Sequence, residues 1–264
     1  MDAVLADRRG RDGAHTARVS VDVVARLRAA GCVFAEDEAA LLVADGRDTD
    51  SLVARRVAGE PLEQVLGWVE FCGLRVLLDP GVFVPRQRTT LLVETAIALG
   101  GSRVVDLCCG CGAVGLAVVA GLPGSTLVAA ADLDPAAVAC ARRNGVPALA
   151  GDLFDALPGD LRGRVDLLCV NAPYVPTEAI ADMPPEARDH EPAIALDGGD
   201  DGLDLHRRVA AGARDWLAPG GSLLLETSRR PAPGTLAAVT AGGLAGRVVA
   251  DEDRGATVVV GTRG

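Results

Sequence analysis

The sequence predicts an α/β protein: a mostly parallel sheet of seven strands, closed by an antiparallel C-terminal hairpin and preceded by a small helical region. Two observations carry this. From Arg103 onward, short apolar runs alternate with helical segments, the pattern of a sheet covered by helices on both faces. The first of those runs passes into a glycine-rich turn, "VVDLCCGCGAVG", as a strand does when it hands over to a helix.

Taken in order, residues 1–18 read as a flexible tail and residues 19–64 as a helical domain. "SVDVVARLRAAG" opens on a capping Ser20 and stops at Gly31. A second helix runs from about Ala35 to Asp45, and "DTDSLVARRVAGEP" supplies a third, ended by Gly59 and Pro61. Two strand-like runs around Gly73 make residues 65–85 a linking hairpin, and residues 86–264 form the main domain. There the strands are "RVVDLC", "TLVAAAD", "PALAGD", "VDLLCVN" and "GSLLLE", interleaved with the helices "GCGAVGLAVVAGL", "DPAAVACARRN" and "GLDLHRRVAAGARDWLAPGG". "GRVVAD" and "ATVVVGT" lie close together and pair as the antiparallel edge hairpin.

Composition narrows the function. With 49% hydrophobic residues and 3% aromatics, the core is built of Leu, Val and Ala, which leaves Trp68, Trp216 and Tyr174 conspicuous. A net charge of −10 argues against a nucleic-acid partner held by a broad basic surface. No apolar run approaches the roughly 20 residues of a membrane span, and the N-terminus lacks the apolar core of a signal peptide. Seven cysteines without framework spacing fit free thiols in a reducing cytoplasm. "CCGC" sits inside the glycine turn and reads as small residues packed under a loop, so no metal site is expected.

Ligands of open α/β sheets lie beyond the carboxyl ends of the strands. Gly110 and Gly112 keep side chains out of the way there, and Asp132, about 20 residues beyond the glycines, is placed to accept both hydroxyls of a ribose. "GCGAVG" also matches the nicotinamide fingerprint. The leading acid Asp106 favours S-adenosylmethionine (SAM), since a carboxylate has a use for that cofactor's amino group and none for a pyrophosphate. Asp152, in "GDLFDAL", stands where a third strand tip would meet adenine, with Leu153 or Phe154 lining the ring.

The fourth strand ends in "NAPY". Here the chain resembles the glutamine N5-methyltransferases that modify peptide-chain release factors, the HemK/PrmC family, whose signature is N-P-P-Y at this place. "GEPLEQVLGWVEF", "FVPR" and "RDHEPAIALDGGDDGLDLHRR" are similar to further segments of that family, and the likeness covers most of the chain. It implies a SAM-dependent methyltransferase fold, S-adenosylhomocysteine as product, and a cytoplasmic enzyme acting on a glutamine-bearing protein such as a release factor. The candidate catalytic residues are Asn171, Ala172, Pro173 and Tyr174. The candidate cofactor-binding residues are Asp106, Cys108, Gly110, Gly112, Asp132, Leu133, Asp152, Leu153 and Asn171.

An amide nitrogen is a poor nucleophile that no ordinary base deprotonates, so positioning is the available lever, worth about 7–11 kcal/mol when geometry is close to attack. The resemblance implies that the Asn171 side-chain oxygen and the Ala172 carbonyl hold the two N–H groups while Tyr174 packs on the substrate; Pro173 biases Ala172 toward extended backbone. The chain departs from the family at Ala172, normally proline. Gln87, Arg88 and Thr90 replace residues of P-R-P-[ED]-T-E, and "TSRRPAP" follows Glu226. The alternatives are a small-molecule N-methyltransferase and an enzyme acting on exocyclic amines of nucleic acid, the latter opposed by the charge.

Overall fold

The computed structural model describes residues 21–264. The tail over residues 1–18 and the Ser20 cap lie outside the described residues. The chain divides into two compact units, the first ending at Leu66 and the second spanning Gly67–Gly264.

The first unit is helical: α1 over residues 21–29, α2 (Ala35–Ala44), α3 (Thr49–Val57) and the short α4 (Leu62–Leu66). Gly31, at φ +91°, ends the α1 turn in a conformation that suits glycine. Asp48 caps α3 by accepting from the Ser51 N–H at 3.3 Å. Val23, Leu27, Ala39, Leu42, Leu52 and Val53 are buried, as is an ion pair in which Arg56 donates to Glu38 at 2.6 Å.

In the second unit β1 (Trp68–Phe71) and β2 (Leu74–Leu77) pair antiparallel, and Cys72 and Gly73 turn between them with positive φ. Then come α5 (Thr90–Leu99), β3 (Arg103–Leu107), α6 (Ala113–Gly121), β4 (Thr126–Asp132), α7 (Pro135–Arg143) and β5 (Ala148–Ala150). β6 (Val165–Val170), α8 (Pro185–His190), α9 (Asp204–Trp216), β7 (Leu217–Thr227), α10 (Ala232–Ala241), β8 (Ala245–Asp251) and β9 (Ala256–Thr262) complete it. Asp134 caps α7, whose first residue is Pro135.

The seven-stranded sheet has the order β5-β4-β3-β6-β7-β9-β8. It is parallel from β5 to β7 and antiparallel across β7–β9 and β9–β8. Side-chain alternation divides the core between its faces. Val104, Leu167, Cys169 and Leu224 pack with α5, α6 and the hairpin, while Val105, Leu107, Leu168, Val170 and Leu225 pack with Val209, Ala213 and Trp216 of α9. β7 begins at Leu217, earlier than the apolar "GSLLLE" suggests; at Gly221 a Cβ would lie 2.6 Å from the Val165 carbonyl oxygen. No helix among the described residues is long and apolar enough to cross a membrane.

Candidate active site

The chain lays β3, β4 and β5 to one side, then crosses to place β6 on the other side of β3. This reversal opens a crevice beyond the strand ends. The cleft there is lined from the ends of β3, β4 and β6 and from the segment after the hairpin.

Gly110 lines it at φ +54°, with no protein atom within 4 Å of where a Cβ would stand. Asp132, at the end of β4, is pinned from behind: one oxygen accepts from the Gly110 N–H and the other from the Asp134 N–H, each at 2.9 Å. Each oxygen keeps a lone pair for a ligand. Burial raises the Asp132 pKa, offset by these two N–H groups. Cys108 (φ +56°), Leu133, Asp152 and Leu153 line the same wall, and burial pushes the Cys108 thiol up. Arg208 donates to Asp152 at 2.7 Å. Leu153 faces the cleft, whereas Phe154 turns away and stacks on Trp216 with ring centroids 5.8 Å apart.

Two residues expected at the cofactor are elsewhere. Asp106 is not the last residue of β3, which runs on to Leu107, and alternation turns its side chain under α6, where it is 1% exposed. Its Oδ2 accepts from the Gly115 N–H at 2.9 Å, fastening the first turn of α6 rather than lining the cleft. Gly112, at φ +84°, is also off the cleft wall; a Cβ there would lie 2.5 Å from Val146 Cγ2, so this glycine serves helix packing.

Burial pushes the Asp106 carboxyl up to about 7, against the pull of the Gly115 N–H. A folded pKa above the unfolded one, about 3.9, makes this group's contribution to stability full below pH 4 and lost as pH rises through 7. Asp106→Asn keeps an oxygen for Gly115. Its thermal midpoint relative to the parent should therefore climb steadily from pH 4 to pH 7. Parallel midpoint curves would show that the carboxyl does not ionise at a cost.

The acceptor side is built on the tip of β6, which is hydrogen-bonded to β3 and β7. Asn171, Ala172, Pro173 and Tyr174 all line the cleft opposite Asp132, with Ala172 buried and Asn171 and Tyr174 part-exposed. Burial and then the charge of Glu226 push Tyr174 up to about 12, so its hydroxyl stays protonated and donates toward Glu226 Oε1 at 3.4 Å. His206 packs beside the Tyr174 ring, neutral because burial lowers it to about 4.

The "LDGGDDG" loop proves to be a brace for this tip. Val175 donates to the Leu196 carbonyl at 3.2 Å, Gly198 to the Val175 carbonyl at 2.8 Å, and Thr177 Oγ1 to Asp197 at 2.7 Å. A Cβ at Gly198 would fall 2.8 Å from Tyr174 Cα, and one at Gly202 would fall 2.5 Å from the Tyr174 carbonyl oxygen. "FVPR" is likewise held to "DHEP": Glu191, its side chain fully buried, accepts from the Val84 N–H at 3.2 Å and from Arg86 at 2.6 and 2.7 Å.

Cleft residues not foreseen as site residues include Phe83, Arg86, Arg88 and Thr89 after the hairpin, Ile194 and Leu196 at and just before the brace, Arg208 of α9, and Glu226 near the end of β7. Glu226 had a legible signal, an acid at the end of the apolar run "GSLLLE", although β7 itself runs on to Thr227.

Residues 73–181 match the family model described as the methyltransferase small domain. The chain is 38% identical over 220 residues to the release factor glutamine methyltransferase of Geobacter sulfurreducens, covering 80% of this chain and 76% of that protein. It is also 38% identical over 187 residues to the 4-amino-L-phenylalanine/4-methylamino-L-phenylalanine methyltransferase of Streptomyces pristinaespiralis, covering 66% of this chain and 63% of that one. A methyltransferase structure from Pyrococcus furiosus superposes with a TM-score of 0.55 at 16% identity, over 80% of this chain and 97% of that chain, a likeness of fold. With four-fifths of its length shared at that level with the Geobacter protein, this chain belongs to the release factor glutamine methyltransferase family.

Proposed function

We propose that this protein is a SAM-dependent methyltransferase that methylates the N5 amide nitrogen of a glutamine in a peptide-chain release factor. The observation that carries the reading is the braced Asn171–Tyr174 tip facing Asp132 and Gly110 across one cleft. These residues fit the cofactor: Asp132 keeps lone pairs for a ribose diol, Gly110 leaves backbone uncovered, and Leu133 and Leu153 offer apolar wall. Held by these residues, SAM would supply an electrophilic methyl group on a positively charged sulfur, which would keep the bonding pair when the methyl is transferred.

Everything else falls to this chain. Asn171 Oδ1 and the Ala172 carbonyl accept the two N–H groups of the carboxamide and aim its nitrogen; Pro173 holds the Ala172 backbone extended. Tyr174 offers its ring to the glutamine side chain. The nitrogen's surplus proton leaves to water through the open mouth. Residues 19–64 are assigned to recognition of the protein substrate, residues 65–85 to the link and residues 86–264 to catalysis, in a cytoplasmic enzyme.

The reading is tested by incubating the protein with SAM and a purified release factor, then mapping the product by mass spectrometry. One added methyl on a single glutamine is expected. Transfer to 4-amino-L-phenylalanine with none to the release factor would overturn it.

A further inference from the structure

Gly110 and Gly112 both stand at positive φ, so the cofactor turn around them has to be held from outside. Asp132 holds the Gly110 N–H at 2.9 Å. The carbonyl of Cys111, the residue between the two glycines, accepts at 3.0 Å from Nδ2 of Asn144. Asn144 is the half-buried residue that ends α7, and it is no part of the cleft wall. The same carboxamide grips the linking hairpin. Leu77 stands opposite Trp68 at the end of β2, and the next residue, Leu78, donates to the Gly67 carbonyl at 2.9 Å. In the alternation of an antiparallel pair, this turns the Leu77 N–H and carbonyl away from β1. Asn144 takes both: Oδ1 accepts from the Leu77 N–H at 2.8 Å, and Nδ2 donates to the Leu77 carbonyl at 2.9 Å. Cys140, one turn earlier in α7, donates to that carbonyl at 3.4 Å, and Arg143 pairs with Asp79.

Both Nδ2 hydrogens and the Oδ1 of one side chain are therefore used, two bonds on the hairpin exit and one on the cofactor turn. The chain beyond Leu77 soon reaches the cleft. Leu78 and Val82 are buried in the core, and Phe83, Arg86, Arg88 and Thr89 line the cleft, with the Arg88 guanidinium carbon 5.9 Å from the Tyr174 ring centroid. Asn144 thus stands between two walls, the turn that meets the cofactor and the segment that ends beside Tyr174. We propose that Asn144 is a positioning residue that ties the hairpin exit to the cofactor turn, so that ordering of one orders the other. This goes beyond the glutamine reading and rests only on SAM occupying the turn. SAM steadies Cys111, Asn144 passes the constraint to Leu77, and residues 83–89 are kept in register with the methyl group. Such coupling is reciprocal, so an acceptor that steadies residues 83–89 tightens the hold on SAM.

Amide hydrogen exchange on the wild-type protein, with and without saturating SAM, reads the tie directly. SAM should slow exchange of the Leu77 N–H at least threefold beyond any slowing in β8, the far edge of the sheet. Two variants are then compared by calorimetry. Asn144→Ala cuts all three bonds, whereas Asn144→Asp keeps an acceptor for the Leu77 N–H and sets an oxygen against the Leu77 and Cys111 carbonyls. Both should bind SAM at least fivefold more weakly than the parent, the aspartate variant no better than the alanine one. Leu77 exchange that ignores SAM overturns the assignment, as does parent-like SAM affinity in both variants. An aspartate variant of parent-like affinity beside a weakened alanine variant reduces Asn144 to an anchor of the hairpin and overturns it too. Should a variant fail to fold, the wild-type exchange decides alone. A wild-type protein that binds no SAM removes the cofactor reading, and this assignment falls with it.

Discussion

Asn171→Ala should leave a protein that folds and binds SAM but turns over about a hundredfold more slowly. Asn171 is the first residue beyond β6, whose Leu167–Val170 backbone is paired on both sides, to β3 and to β7, so its position is set by the middle of the sheet. Its side chain is half-buried at the cleft and packs no core, which is why truncation costs little stability. The loss comes at the reacting centre. Without one of its two acceptors the amide nitrogen samples orientations out of line with the methyl group, and misplacement of about 1 Å costs on the order of 10²-fold. Single-turnover kinetics at saturating SAM, beside calorimetric SAM binding, separate the two effects. Turnover within a few fold of the parent would mean that this tip does not position the nucleophile.

The second large effect is at Asp132. Asp132→Ala should weaken SAM binding by roughly tenfold to a hundredfold, the equivalent of about 1.5–3 kcal/mol for a hydrogen bond to a charged group. On the proposed reading the carboxylate has two jobs, and the substitution removes both. One is to receive the ribose hydroxyls; the other is to hold the Gly110 and Asp134 N–H groups, and with them the glycine turn. Asp132→Asn tells them apart, since its single oxygen retains part of the backbone tether without the charge. Its affinity should fall between parent and alanine. Calorimetry giving parent-like affinity for both variants would take Asp132 out of the cofactor site.

How much of this was legible in the sequence depends on which physical signal each residue leaves. The parallel strands were readable because burial on both faces writes them as unbroken apolar runs, "VDLLCV" above all. α5 and α10 were not, since "TLLVETAIAL" and "APGTLAAVTA" are too uniformly apolar or too rich in Pro and Gly for a helical stripe to stand out. Asp132 was readable as the last residue of its strand. Asp106 does not close its strand, which runs on to Leu107, and it lies on the face beneath α6, where only the tertiary fold could place it. Phe154 and Leu153 could not be told apart without knowing that Trp216 lay nearby to take the phenyl ring. Arg88 and Glu226 stand far apart in the chain, and their meeting beside Tyr174 is a product of tertiary structure.

The sheet's connectivity bears on how the protein is made. β9 lies between β7 and β8, so neither has a partner on that side until residues 256–262 have been synthesised. During translation β7 carries an unsatisfied edge while α10 and β8 emerge, and such an edge is a template for wrong pairings. The glycine turn, Asp132 and the Asn171 tip are all translated well before that strand, yet β6 rests against β7 and therefore on its closure. Pairing of β9 thus completes the scaffold on which the active site stands, and nascent chains arrested before Ala256 should be captured by chaperones rather than by SAM.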